Sequence, residues 1–145
     1  MSVRALDAGV RDLLEQRIRE LVRLQAESFG VQARIDYQRD YPVLVNDPAA
    51  TQLAREVAIE LVGVAQVVPQ CPPFTGSEDF AVMLEHCPGS YLLIGNGDGH
   101  GEGSDGCMVH NPGYDFNDDN LAIGSAYWAL LVERYLAAAG DDLTR

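Results

Sequence analysis

At 145 residues the chain has the size of one ordinary domain, and 47% hydrophobic residues can fill a core, which excludes disordered and collagen-like classes. Ten Lys plus Arg against 22 Asp plus Glu give a formal net charge of −12, a field that repels phosphate backbones and excludes nucleic acid as a partner. Cys71, Cys87 and Cys107, widely spaced with no CxxC, fit a reducing compartment, and the lack of a membrane-length apolar run points to a cytoplasmic chain without a membrane partner.

Ser2 to Leu6 places Val3 and Ala5 on one side and Arg4 on the other, which predicts a strand. Asp7 then caps a helix running to about Phe29, where Gly30 stops it. Val10, Leu13, Leu14, Ile18, Leu21, Val22 and Phe29 recur at spacings of three and four, an amphipathic stripe. Arg11, Glu15, Arg17, Arg19 and Arg23 make the opposite face, solvated and laced with local ion pairs. From Val31 to Tyr37 the pattern alternates cleanly, as in a half-buried strand of an antiparallel-type sheet. This strand–helix–strand block buries too little to stand as a domain.

Tyr41 to Asn46 reads as a linker, and Asp47-Pro48 as a helix start with a carboxylate before a first-turn proline. That helix carries Leu53, Val57, Ala58 and Leu61 on one face and ends at Gly63. Val64 to Val68 reads as a short buried strand. Pro69 and Pro72-Pro73 forbid regular structure. Ser77 is a helix cap for a short helix reaching about His86, and Glu78 and Asp79 suit its dipole. Tyr91 to Ile94 is another apolar strand, and 95–106 is a glycine-rich polar loop. Asn117 or Asp118 caps a last helix with Leu121, Ile123, Gly124, Trp128, Leu131 and Leu136 as its core face. Residues after Gly140 read as a frayed tail. The overall expectation is an α/β layer arrangement whose sheet is incomplete.

Few residues carry chemistry by themselves. The Asp98 loop puts Val109 where a calcium loop needs a bidentate Glu, and no Lys-Ser/Thr follows its glycines for phosphate, so His100 reads as incidental on a surface loop. Ser77 lacks a nucleophile elbow. Cys107 has no electropositive setting and reads as a small buried hydrophobe. His110, between Met108-Val109 and the turn formers Asn111-Pro112-Gly113, fits a structural histidine as well as a metal ligand or catalytic group. Asp115, Asp118 and Asp119 lie close enough in sequence to orient its ring, but one histidine cannot make a metal site.

Gly76-Ser-Glu-Asp-Phe80, Pro88-Gly89, an apolar strand, Val109-His-Asn-Pro112 and Asp115-Phe-Asn-Asp118 resemble, in order and spacing, the C-terminal part of the dinuclear-metal amidohydrolases. That group includes hippurate hydrolase, N-acyl-amino-acid amidohydrolases and auxin-conjugate hydrolases within the aminoacylase/carboxypeptidase superfamily. The glycine-rich loop before His110 is longer than the family pattern. Ser2 to Leu6, the long helix and the strand ending at Tyr41-Pro42 resemble the second half of that family's lid, or dimerisation, domain.

The resemblance implies lid residues over 1–45 and part of the metal-binding catalytic domain over 46–145. It implies hydrolysis of the amide bond of N-acyl amino acids or small peptides at two divalent ions, zinc, manganese, cobalt or nickel. His110 matches a metal ligand, Arg4 a binder of the substrate carboxylate, and Gly76 and Ser77 a loop that approaches substrate. Glu78 and Asp79 match supporting positions beside that loop. The general base and the other metal ligands match no position here, so the chain alone is expected to be inactive, with no stable metal, and to pair as a homodimer. The alternative is a non-catalytic dimerisation or binding module on the same scaffold.

Overall fold

The computed structural model describes residues 2–97 and 109–142. The chain divides into two compact units, Met1–Asp47 with Gln70–Gly89, and Pro48–Pro69 with Ser90–Arg145.

The first unit is built on α1, Ala8–Ser28. Asp7 caps it: one carboxylate oxygen accepts from Val10 N–H at 2.9 Å, satisfying an otherwise orphaned first-turn donor. Gly30 ends it at φ 66, a left-handed position that glycine adopts without steric cost. The helix closes in the double-bonded glycine cap, with Gly30 N–H donating to Glu27 O at 2.9 Å and Val31 N–H to Ala26 O at 3.0 Å. Ion pairs run along the exposed face at helical spacing, Arg17 to Glu20 at 2.7 Å and Arg23 to Glu27 at 2.6 Å.

Arg39 folds the following segment back onto α1, donating to Asp12 and Glu15 at 2.6 Å each. Arg19 also donates to Glu15, at 2.8 Å, and its guanidinium lies 5.6 Å from the Tyr37 ring centroid. Later in the same unit, α3 is only Phe80–Leu84. It buries Ala81, and Asp47 N–H donates to Gly89 O at 2.9 Å.

The second unit pairs α2, Pro48–Val62, with α4, Asp119–Asp142. Ala54 and Val57 are buried on α2, Val57 to 1% exposure. Tyr127 on α4 donates its hydroxyl to Ala54 O at 3.1 Å, and Arg134 forks onto Glu60. The hydroxyls of Thr51 and Ser90 meet at 3.0 Å.

The predicted strands did not form: among the described residues there are helices and no strand. The α/β expectation is corrected to that extent. Side-chain alternation survives in part, since Val3, Ala5, Ile35 and Tyr37 are half-buried while Arg4, Arg34 and Asp36 are exposed. What fails is pairing, because a strand exists only through hydrogen bonds to a neighbour. Val64 to Val68 instead curls into a short 3-10 helix, Val64–Gln66, after Gly63 at φ 84. Its local bonds, Gln66 N–H to Gly63 O at 3.1 Å and Val67 N–H to Val64 O at 3.3 Å, replace the ladder. Tyr91, Leu92, Leu93 and Ile94 are all exposed.

Candidate functional site

His110 sits at φ 72, the one non-glycine residue in the left-handed region among the described residues. Its conformation follows from the turn it enters. Asn111 Oδ1 accepts from Gly113 N–H at 2.8 Å, and Tyr114 N–H donates to Asn111 O at 2.9 Å, closing a tight turn around Pro112. A left-handed residue is cheapest as Gly or Asn, and an imidazole there costs about 1 kcal/mol or more. Such an outlier raises the expectation that the side chain itself is used.

The segment after the turn is fastened by Asn96. Its Nδ2 donates to Asp115 O at 2.7 Å, and its Oδ1 accepts from Asn117 N–H at 2.8 Å. Asn120 Nδ2 reaches back to Gly95 O at 3.0 Å. Asn117 Oδ1 accepts from Asp119 N–H at 3.1 Å and so starts α4, the capping role expected of it. The sequence offered little sign of Asn96, because its partners lie 19 and 21 residues away. Its only signal was an amide side chain directly after an apolar run.

Beside this clamp an open groove of about 300 Å³ is lined by Ile94, Tyr114, Phe116, Leu121, Trp128 and neighbours. The imidazole of His110 is exposed, and Asp115, Asp118 and Asp119 make no hydrogen bond to it among the described residues. The orienting carboxylate expected from sequence spacing is therefore not in place.

Arg4, Gly76, Ser77, Glu78 and Asp79 all lie in the first unit, and His110 lies in the second. Arg4 is exposed between half-buried Val3 and Ala5. Gly76 and Ser77 are exposed in an irregular loop, and a Cβ on Gly76 would meet open space. Ser77 does not cap α3. Asp79 occupies the N-cap position without a side-chain bond, and Glu78 Oε1 stands 3.4 Å from Phe80 N–H. His100 and Cys107 fall outside the described residues.

Among the described residues no group of three or more His, Cys, Asp or Glu side chains could hold a metal ion. One imidazole does not fit a self-contained metal centre, which needs at least three protein donors. No helix among the described residues is long and apolar enough to cross a membrane.

Comparison with known proteins supplies the rest of the context. The family model described as peptidase family M20/M25/M40 matches residues 5–134. The chain is 33% identical over 136 residues to the hippurate hydrolase of Campylobacter jejuni, covering 94% of this chain and 34% of that protein. It is 31% identical over 127 residues to the N-acetyl-L-cysteine deacetylase of Bacillus subtilis, covering 88% and 28%. It is 29% identical over 137 residues to thermostable carboxypeptidase 2 of Saccharolobus solfataricus, covering 92% and 33%. The chain thus spans about a third of the length of these relatives. No solved structure matches significantly.

Proposed function

The chain belongs to peptidase family M20/M25/M40, and on that premise we propose that it forms the C-terminal part of a metal-dependent amidohydrolase acting on N-acyl amino acids or small peptides. The observation that carries this reading is His110, a lone imidazole held in a left-handed turn within the matched residues. In this reading His110 supplies one ligand to a metal pair completed by groups the chain does not contain. Zinc, manganese, cobalt and nickel are all compatible with an imidazole donor. Arg4 presents a planar, bidentate donor to the substrate carboxylate. Gly76 and Ser77 bring an exposed loop to the substrate, since nothing crowds Gly76, and Glu78 with Asp79 hold that loop to the start of α3. The deacetylase and hippurate hydrolase among the relatives support acyl-amino-acid substrates, and the carboxypeptidase supports small peptides.

The same reading takes the segments 2–6, 31–37 and 91–94 as strands of an α/β sheet completed by other chain. It takes the open apolar groove of Leu21, Val22, Ala26, Phe29 and Val31 as part of a homodimer contact in the cytoplasm. The test is a comparison of the chain alone with the chain joined to the upstream part of a family member. Alone it is expected to hold no stoichiometric metal and to leave hippurate and N-acetyl amino acids uncleaved. Joined, it is expected to hydrolyse them, and His110→Ala should lower kcat/KM more than about 100-fold. Activity that survives His110→Ala would sink the assignment. Joined protein that folds without hydrolysing anything would favour a non-catalytic binding module.

A further inference from the structure

All 10 cationic side chains of the chain are arginines, set against 22 carboxylates, so an arginine left without a carboxylate is not short of candidates. Arg17, Arg19, Arg23, Arg39 and Arg134 each pair with at least one. Arg4, Arg11, Arg34 and Arg55 pair with none among the described residues.

Two of these, Arg4 and Arg34, share a setting within one compact unit. Arg4 is exposed between half-buried Val3 and Ala5, and Arg34 is exposed next to half-buried Ile35. The segment holding Arg34 is fixed to α1 by its odd-numbered residues. The Tyr37 ring centroid lies 5.6 Å from the Arg19 guanidinium, and Arg39 donates to Asp12 and Glu15 at 2.6 Å each. Side chains alternate sides along an extended chain, so holding Tyr37 and Arg39 on the helix turns Arg34 and Asp36 away from it. Asp36 stands about 7 Å from Arg34 on that side, at two extended residues. Both arginines thus keep their planar forks open, and such a fork matches a carboxylate better than any other side chain does.

We propose, on the reading of Arg4 and of the reaction given above, that Arg34 is a specificity residue which holds a second substrate carboxylate while Arg4 holds the first. The substrates taken best are then N-acyl amino acids with two carboxylates. The second carboxylate belongs either to the amino-acid side chain, as in an N-acyl glutamate, or to the acyl group, as in an N-succinyl amino acid. Either source offers one planar anion to one fork. Asp36 weakens this attraction by like charge, and its effect is small because water and salt screen it.

The test uses the chain joined to the upstream part of a family member, with substrates matched in shape and unequal in charge. N-acetyl-L-glutamate against N-acetyl-L-glutamine reads the side-chain position. N-succinyl-L-alanine against N-succinamoyl-L-alanine reads the acyl position. In one of the two pairs kcat/KM is expected to be about tenfold higher for the dicarboxylate, chiefly through KM. Arg34→Gln should bring that ratio to about one, and Arg34→Lys should keep part of it. Asp36→Asn should raise it about twofold at low salt. Arg55→Gln, exposed on α2, should leave the ratio and the activity unchanged. Calorimetric binding of the same four compounds reads the contact without turnover. A ratio near one in both pairs, or a preference that survives Arg34→Gln, overturns the role of Arg34 and leaves the activity standing. Dicarboxylate binding that Arg34→Gln abolishes, with no substrate cleaved, overturns the activity and leaves Arg34 standing. Joined protein that neither binds nor cleaves any of the four overturns both.

Discussion

Asn96 and Asn117 are joined across 21 residues by a 2.8 Å bond from the Asn117 backbone N–H to Asn96 Oδ1, while the same Asn96 amide donates to Asp115 O at 2.7 Å. One side chain therefore sets where the turn carrying His110 leads into α4. The tie is a planar amide with both ends used, and no other side chain of its size offers a donor and an acceptor in that geometry.

Replacing Asn96 by leucine keeps much of the volume and removes both bonds. The expected loss is about 2 kcal/mol, from two hydrogen bonds of about 1 kcal/mol each. Asn96→Asp keeps the acceptor but sets a carboxylate oxygen against Asp115 O, and should lose at least as much. Amide exchange at Asn117 is the direct readout, and protection unchanged in Asn96→Leu would show that the clamp holds nothing.

His110 separates backbone from side-chain demands. At φ 72 a β-branched residue is strained, so His110→Val should destabilise the second unit by about 1–2 kcal/mol, whereas His110→Gly and His110→Asn should be close to neutral. Urea denaturation of the three variants checks this. If Val proves as good as Gly, the residue is not held left-handed in solution.

The α2–α4 pairing depends on a small buried patch. Val57→Ala should cost about 2 kcal/mol through lost burial and an unfilled gap. Tyr127→Phe should cost about 1 kcal/mol because it removes the phenol's bond to Ala54 O. Burial raises the pKa of this phenol, so ultraviolet titration should show a high-pH tyrosine component that Tyr127→Phe removes. A high-pH component that persists in Tyr127→Phe would contradict it.

Acid should loosen both units in the same direction. Glu15 is held below its ordinary pKa by hydrogen bonds from Arg19 first and Arg39 second, and Glu60 by its bond from Arg134. A carboxylate with a depressed folded pKa contributes stability above its unfolded value, here about 4.5, and loses it as pH falls through the folded value. Helical circular dichroism below pH 4.5 should therefore decline less steeply in Glu15→Gln and Glu60→Gln than in the parent. Both groups sit at the surface, so added salt should shrink the difference. An acid limb that both substitutions leave unchanged would dismiss the pairs as stabilising.

What the sequence determined by itself was whatever a few adjacent residues decide. Asp7 and Gly30 bracket α1 because a cap carboxylate and a left-handed glycine act on backbone groups within one turn. Pro48 opens α2 and Asn117 starts α4 for similarly local reasons. The family motif around His110 was also legible, being a contiguous string. Pairing was not. Val31 to Tyr37 and Tyr91 to Ile94 have strand composition, but a strand is completed by a neighbour that no local pattern supplies, and none is present among the described residues. Nor could the spacing of Leu121 and Trp128 say which side of α4 would meet α2, since the helix is apolar on more than one side. That choice fell to the contacts of Tyr127 and Arg134 with residues 73 and 74 positions earlier. The Asn96 clamp belongs to the same class, a bond whose worth depends on two distant backbone groups arriving together.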